Sequence, residues 1–452
     1  MDLVSSPLLT DLYQLNMMQA YLDHGKTGTA VFEFFMRNLP PNRRFLVAAG
    51  LEQALDYLES VRFSAADIEW LAQTGRFREN FLEYLRTFRF TGTVHAMPEG
   101  TAFFADEPIL RVTAPLPEAQ LVETRLINLL HFETLIASKA ARHVLLAPGK
   151  ELVDFGLRRA HGGEAGVIAA RASYIAGYAG TATVLAGELF GIPLYGTMAH
   201  SFIEAFDDEA AAFEAFAVSR PDGLVLLLDT YDTEAAARKA AAVAKRLQKR
   251  GIELKAVRLD SGDLSYLSRS VRNILDRAGL KDVGVFVSGG LDEKVLIELV
   301  RGGAPIDGFG IGTSLTTSSD RPALDCVYKL QEYDGLPRRK HSPGKTTWPG
   351  RKQVWRRYGS DGQMGGDMVS LESDRQEGEP LLQIVMIEGR RTGPKPALSE
   401  IRERSAQNLR RLPANLQNLD PESSYPVSIG EPVRKLAEEA DRFIARQRAA
   451  SP

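Results

Sequence analysis

Six short stretches of this 452-residue chain carry side chains able to bind or to react: Phe155 to Arg159, His200, Asp229, Arg258 to Asp263, Ser288 to Gly290 and Gly310 to Thr313. A neutral imidazole is a competent nucleophile near neutral pH. His200, in GTMAHSF, therefore offers either chemistry or, at a strand-to-helix junction, simple packing. Arg258, Asp260 and Asp263, in RLDSGD, could neutralise a diphosphate, bond ribose hydroxyls and hold Mg2+, which favours carboxylate, water and substrate phosphates. The same three residues could equally form a structural ion-pair turn. Arg158 and Arg159 can fork onto phosphate or carboxylate, and the Phe155 ring can stack on a flat heterocycle. FVSGG and GFGIGT end in small residues whose backbone N–H groups can surround phosphate oxygens, although tight turns use the same residues.

A parallel sheet would bring these stretches together. Each closes a short apolar run: ELVDFG, IPLYGTMA, GLVLLLDTYD, ELKAVRLDSGD, VGVFVSGG and IDGFGIGT, all between about residues 150 and 330. Helix-favouring segments lie between them, such as TEAAARKAAAVAKRLQKRG, whose closing Gly251 suits a helix C-terminus. Apolar strands alternating with helices imply a parallel sheet, and the spacing predicts an irregular α/β barrel. In such folds, loops at the carboxyl ends of the strands form the active site, and late-strand loops cradle phosphate.

The domains are expected at 1–145, an α+β region; 146–330, the barrel-like domain; and 331–452, a C-terminal segment returning to the N-terminal domain. The basic run at 336–358 is expected to be a solvated loop, or more sharply a flap over a nucleotide. Pro432 suits a first helical turn, and Val433, Leu436, Ala440 and Phe443 recur at helical spacing, which predicts a closing helix.

With 55 basic against 58 acidic residues, the net charge of −3 gives no reason to expect nucleic acid or an acidic membrane as partner. Cys326 is the single cysteine, so no internal disulfide forms. No run approaches the ~18 apolar residues of a membrane span, and the first residues lack a secretory pattern. A cytoplasmic protein is expected.

In order and spacing, TDLYQLNM, FGLRRAHG, GTMAHSF, RLDSGDL, SGGLDE and GFGIGT resemble nicotinate phosphoribosyltransferase, a type II phosphoribosyltransferase family. The likeness extends through PEGTAFFADEPILRVTAPLPEAQLVET and PGRKQVW. It implies ATP-coupled synthesis of nicotinate mononucleotide and diphosphate from nicotinate and phosphoribosyl diphosphate, with Mg2+. Under it, His200 matches the histidine that ATP phosphorylates, with His161 as the competing candidate, and Asp229 matches its hydrogen-bond partner. Phe155 matches one face of a sandwich around the pyridine ring. Tyr13 matches the other face, supplied by a second subunit, so a homodimer with shared sites is implied. Arg158, Arg258, Gly289, Gly290, Gly310, Gly312 and Arg321 match holders of the ribose phosphate or diphosphate, alongside Thr313 at its strand end. Asp260 matches a ribose and diphosphate contact. Ala182, in YAGTATV, falls where nicotinamide-using relatives place an aspartate, which points to nicotinate.

Three alternatives remain beside this expectation: a nicotinamide-using relative, a sugar-phosphate lyase or isomerase on a barrel, and a non-catalytic nucleotide binder. The lyase would need a Schiff-base lysine or a general base, and the six strand ends contain no lysine.

Overall fold

The computed structural model describes residues 6–340, 347–419 and 422–450, without the side chains of 447–450. It divides into two compact units, one formed by 1–138 with 323–452 and the other by 139–322.

The 139–322 unit is built on a six-stranded parallel sheet. Its strands are β1 (Glu151–Asp154), β2 (Gly180–Thr181), β3 (Leu224–Leu227), β4 (Leu254–Leu259), β5 (Gly284–Ser288) and β6 (Gly308–Ile311). Their spatial order is β2-β1-β6-β5-β4-β3. The sheet therefore curls as a half-barrel with β2 and β3 at its edges. Helices alternate with the strands: α1 (Gly163–Ala176), α2 (Val184–Phe190), α3 (His200–Glu204), α4 (Glu209–Ser219), α5 (Thr233–Gln248), α6 (Leu264–Arg277), α7 (Glu293–Arg301) and the short α8 (Thr313–Thr316).

Three of the crossovers follow one rule. Asp232, Asp263 and Asp292 are the N-caps of α5, α6 and α7, each accepting from backbone N–H groups of the first turn. An aspartate side chain there satisfies amides that have no partner within the helix. In LDTYD and RLDSGD the second aspartate is thus taken up by the helix, and the first is left at the strand end.

One expected strand does not form. IPLYGTMA is an extended segment that touches the sheet through a single bridge, Leu194 to Thr181. Pro193 has no N–H to donate, which confines such a run to a sheet edge, and β2 takes the place expected for it. His200 still begins a helix, the five-residue α3.

In the other unit a seven-stranded sheet has the order Leu336–Pro337, Cys326–Tyr333, Thr29–Met36, Pro108–Pro115, Thr93–Ala96, Gln383–Ile387, Arg390–Arg391. Its neighbours pair antiparallel. Thr29–Met36 is buried from Ala30 onward, and Phe32 stacks on Tyr328 across the register at 4.8 Å. A four-stranded sheet contains Lys352–Tyr358 between Glu379–Pro380 and Met364–Leu371, with Val427–Ile429 beyond. That corrects the expectation of a solvated basic loop for 352–358. Arg356 is fully buried because Asp367 neutralises it, and Lys352 is buried against Glu33 at 2.6 Å. Residues 341–346 of the basic run lie outside the described residues. The closing helix Glu431–Ala450 forms as expected, with Val433 and Ala440 buried. Phe443, placed on the same stripe, is instead half exposed at 49%.

Candidate active site

Because the strands run parallel, five of the six stretches emerge at one edge of the sheet. Asp229 lies two residues beyond β3, and Asp260 directly follows β4. Asp229 Oδ2 accepts from the Asp260 backbone N–H at 3.1 Å and from the Ser261 hydroxyl at 2.5 Å. Its other oxygen, Oδ1, is buried with no hydrogen-bond partner. Asp260 Oδ1 accepts from the Ser288 hydroxyl at the end of β5. Arg258, inside β4, donates from Nη1 to Thr197 Oγ1 at 2.5 Å, and its Nη2 lies 4.0 Å from Asp260 Oδ1. Burial pushes its pKa down, against the pull of Asp260 and Asp229.

His200 faces this group. Its Nδ1 lies 3.2 Å from Thr230 Oγ1, and Nε2 lies 3.9 Å from Asp260 Oδ2. Thr230 therefore makes the ring contact expected of Asp229. If the hydroxyl accepts from Nδ1–H, the lone pair is left on Nε2, toward Asp260. His161, the competing histidine, is exposed in a bend after Arg159.

Phe155 follows β1, and its ring lies across Gly310 of β6. A Cβ on Gly310 would stand 2.4 and 2.5 Å from two atoms of that ring, so any larger residue would displace it. Gly289, at φ +86°, sits so close to the Asp260 carbonyl that a Cβ would come within 1.9 Å of its oxygen. These two glycines let four strand ends close around a cavity of about 440 Å³. Its lining includes Phe155, Arg158, Arg159, Asp260, Ser288, Gly289, Gly290, Gly310, Gly312, Thr313 and Ser319. Two guanidinium groups and a run of exposed backbone amides make the cavity suited to anions.

Asp154 was not singled out from sequence, yet it fastens one wall. It is buried at the end of β1, where Oδ1 accepts from Gly156 N–H at 2.8 Å and Oδ2 from the Thr181 hydroxyl at 2.7 Å. The Thr181 hydroxyl oxygen accepts in turn from Thr183 N–H at 3.0 Å, and the Asp154 carbonyl accepts from Ala182 N–H at 2.8 Å. One carboxylate thus ties the Phe155 loop to the Ala182 turn. Burial pushes its pKa up to about 6, against these hydrogen bonds. Other residues missed from sequence are Thr197, Thr230 and Ser319, each a small hydroxyl in a loop, a type too common to stand out.

Of the remaining expected residues, Ala182 is exposed between β2 and α2, and Arg321 is exposed in a turn after α8. Tyr13, 47% exposed, belongs to the helix Leu12–Asp23 of the other unit. Asp263 serves as the α6 cap, accepting from Tyr266 N–H at 3.0 Å. Among the described residues no three His, Cys, Asp or Glu side chains cluster as a metal cage. Asp229 and Asp260, with one buried oxygen unpaired, fit a cation held mainly by substrate phosphates and water, the habit of Mg2+.

Comparison with known proteins adds three matches along the chain. Residues 8–131 match the nicotinate phosphoribosyltransferase N-terminal domain, 150–334 the nicotinate phosphoribosyltransferase family, and 374–437 its C-terminal domain. A Mycobacterium tuberculosis protein named nicotinate phosphoribosyltransferase pncB2 is 48% identical over 426 residues, covering 94% of this chain and 91% of its own. The Bacillus subtilis nicotinate phosphoribosyltransferase is 39% identical, covering 94% and 93%. The crystal structure of human nicotinic acid phosphoribosyltransferase superposes with a TM-score of 0.85 at 31% identity, covering 95% of this chain and 99% of its own.

Proposed function

This chain belongs to the nicotinate phosphoribosyltransferase family, and we propose that it couples the family's reaction to ATP through a phosphorylated His200. The enzyme joins nicotinate to phosphoribosyl diphosphate, giving nicotinate mononucleotide and diphosphate, a step of NAD salvage. The pyridine nitrogen attacks the anomeric carbon with its lone pair, and the carbon–oxygen bond to diphosphate breaks with its electrons leaving on oxygen. That nitrogen carries no proton, so no general base is needed. Positioning and stabilisation of the departing charge do the work.

In this reading Phe155 stacks on one face of nicotinate and Tyr13 of a second copy covers the other. Arg158, Arg258, Arg321 and the amides of Gly289, Gly290, Gly310, Gly312 and Thr313 hold the phosphates, and Asp260 holds the ribose. Mg2+ would sit by Asp260 and Asp229 and neutralise diphosphate charge. His200 Nε2 attacks the γ-phosphorus of ATP, the bond to ADP breaks, and water later cleaves the phosphohistidine to release phosphate. Thr230 fixes the tautomer that leaves Nε2 reactive, while Asp229 holds the Asp260 loop beside it. We further read the curled sheet as an irregular α/β barrel and place the enzyme in the cytoplasm.

The observation that carries this reading is the arginine- and amide-lined cavity at the carboxyl edge of the sheet, with Phe155 on its wall and the His200–Asp260 pair at the same edge. The test is product formation from nicotinate and from nicotinamide, with and without ATP, together with acid-labile phosphate on the protein after ATP treatment. Faster product from nicotinate with ATP, and phosphate on the wild type, are expected. Equal rates with and without ATP would remove the coupling. For the dimer, the ATP-coupled activity lost separately in Tyr13→Ala and His200→Ala chains should return on mixing. No recovery despite subunit exchange would mean that each chain builds its own site.

A further inference from the structure

Behind the cavity, the last turns of the helix Glu123–Leu146 carry a lysine that none of the proposed roles uses. Lys139 is fully buried. Its ammonium donates to both carboxylate oxygens of Glu293, at 2.9 and 2.8 Å, and to Asp320 Oδ1 at 2.7 Å. Each carboxylate directly adjoins residues of a different wall of the cavity. Glu293 opens α7, directly after the turn that carries Gly289, Gly290, Leu291 and Asp292, all of which line the cavity. Asp320 sits in the turn 318–321, beside the lining residue Ser319 and before Arg321. That turn is tight: Arg321 N–H donates to the Ser318 carbonyl at 2.8 Å, and the Ser318 hydroxyl donates to the Arg321 carbonyl at 2.7 Å. Ser318 itself holds φ at +43°, a left-handed conformation that a serine adopts only when its surroundings enforce it.

The Glu293 carboxylate also lies 3.6 Å from Arg142 Nε and 3.6 Å from His143 Nε2, and His143 Nδ1 is 2.7 Å from the Tyr178 hydroxyl. A fully buried lysine is costly for a fold to keep, and apolar replacement of buried ion pairs is often neutral for stability. What this lysine does that a leucine could not is pin two separate loops to one point. It also supplies one cation to the carboxylates of both Glu293 and Asp320.

We propose that Lys139 is a positioning residue for the diphosphate cradle: it fixes the Gly289–Gly290 turn and the Ser318–Arg321 turn at the spacing an anionic substrate requires. This rests on the phosphoribosyl transfer reading above. Lys139→Met frees both turns and leaves Glu293 and Asp320 without their shared cation. The expected result is a KM for phosphoribosyl diphosphate raised about tenfold or more, since small misplacements of positioning groups have large effects. The KM for nicotinate should stay within about a factor of two, because the pyridine side of the site is not attached to Lys139. Binding of inorganic diphosphate with Mg2+, measured by calorimetry, should weaken in parallel. Asp320→Asn, which loosens one arm only, should show the same pattern more weakly. Lys139→Arg should restore part of the affinity, and the double variant Lys139→Met with Asp320→Asn should be little worse than Lys139→Met alone.

Equal losses for nicotinate and phosphoribosyl diphosphate would overturn the proposal, because a general structural defect moves both. Unchanged diphosphate binding in folded Lys139→Met and Asp320→Asn would also overturn it. If Lys139→Met does not accumulate as folded protein, Asp320→Asn and Lys139→Arg decide by the same criteria. Wild-type protein that binds neither diphosphate nor phosphoribosyl diphosphate would instead remove the underlying reading.

Discussion

Two arginine–aspartate pairs, one in each unit, are built to opposite ends. In the unit of the chain termini, Arg356 grips Asp367 through Nε and Nη2, with both side chains fully buried and the Tyr425 hydroxyl donating to the same carboxylate. In the 139–322 unit, Arg258 and Asp260 stand 4.0 Å apart and remain 12% and 28% exposed. Each of these is fastened by a neutral hydroxyl instead, Thr197 for the arginine and Ser288 for the aspartate. Ions that complete one another serve the fold. Ions held just short of contact keep their hydrogen-bonding capacity for a ligand.

The largest effect is expected at His200. Its replacement by alanine should reduce ATP hydrolysis and acid-labile phosphate to background, while a slow, ATP-independent transfer persists and the fold is unaffected, as checked by thermal unfolding. Phosphate still present on the variant would transfer the role to another residue, His161 first. On the other side, Arg356→Met leaves Asp367 buried without its cation and should cost about 3–5 kcal/mol of stability. Activity per folded molecule should be unchanged. Denaturant titration checks the first expectation, and Arg356→Met with Asp367→Leu should recover most of the loss.

Asp154 sharpens the contrast from within the site. Its carboxyl has a pKa of about 6 in the fold against 3.8 for the unfolded group, so the folded state holds its proton more tightly. The associated stability is full below pH 3.8 and is lost as pH rises through 6, by about 3 kcal/mol at most. Urea unfolding at pH 4.5 and pH 7 should show this fall in the wild type relative to Asp154→Asn. Parallel pH profiles would mean that the carboxyl titrates normally. The smallest effect is expected at Ala182, which is exposed. Two like charges ~4 Å apart repel by roughly 4 kcal/mol at an effective dielectric near 20, and solvent should screen much of that. Ala182→Asp should lower nicotinate turnover more than nicotinamide turnover, by about tenfold in the ratio. An unchanged ratio would free Ala182 from any part in specificity.

Much of this site was legible because parallel α/β crossovers place chemistry at predictable positions. Asp229, Asp260, Ser288 and the glycines of SGG and GFGIGT could be placed from the strand pattern alone. What stayed hidden depended on contacts between distant loops. The roles of Asp229 and Thr230 toward His200 differ by one residue of backbone, and no periodicity separates them. Asp154 ends an apolar run like any strand terminus, and only its two hydrogen-bond partners, 2 and 27 residues away, give it a task. The strand expected at IPLYGTMA failed because its apolar content suited a sheet but its proline did not. Lys352–Tyr358 was missed for the opposite reason: two of the charges that suggest solvent are buried against acids, Lys352 against Glu33 and Arg356 against Asp367.

That failed strand bears on how the protein breathes. The segment leading to His200 is joined to β2 by two backbone hydrogen bonds, Thr181 N–H to Pro193 O at 3.1 Å and Tyr195 N–H to Thr181 O at 2.9 Å. Gly180 permits the close approach, since a Cβ there would meet the Pro193 carbonyl at 2.3 Å. By contrast, β4 is laddered on both sides by β3 and β5. Amides of so thinly tethered a border open with little local free energy, whereas those of a central strand exchange only through much larger excursions. In deuterium exchange, Tyr195 should therefore lose its protection well before Val257. The imidazole would then ride on a readily detached border of this sheet, which suits the phosphoryl transfer proposed for it.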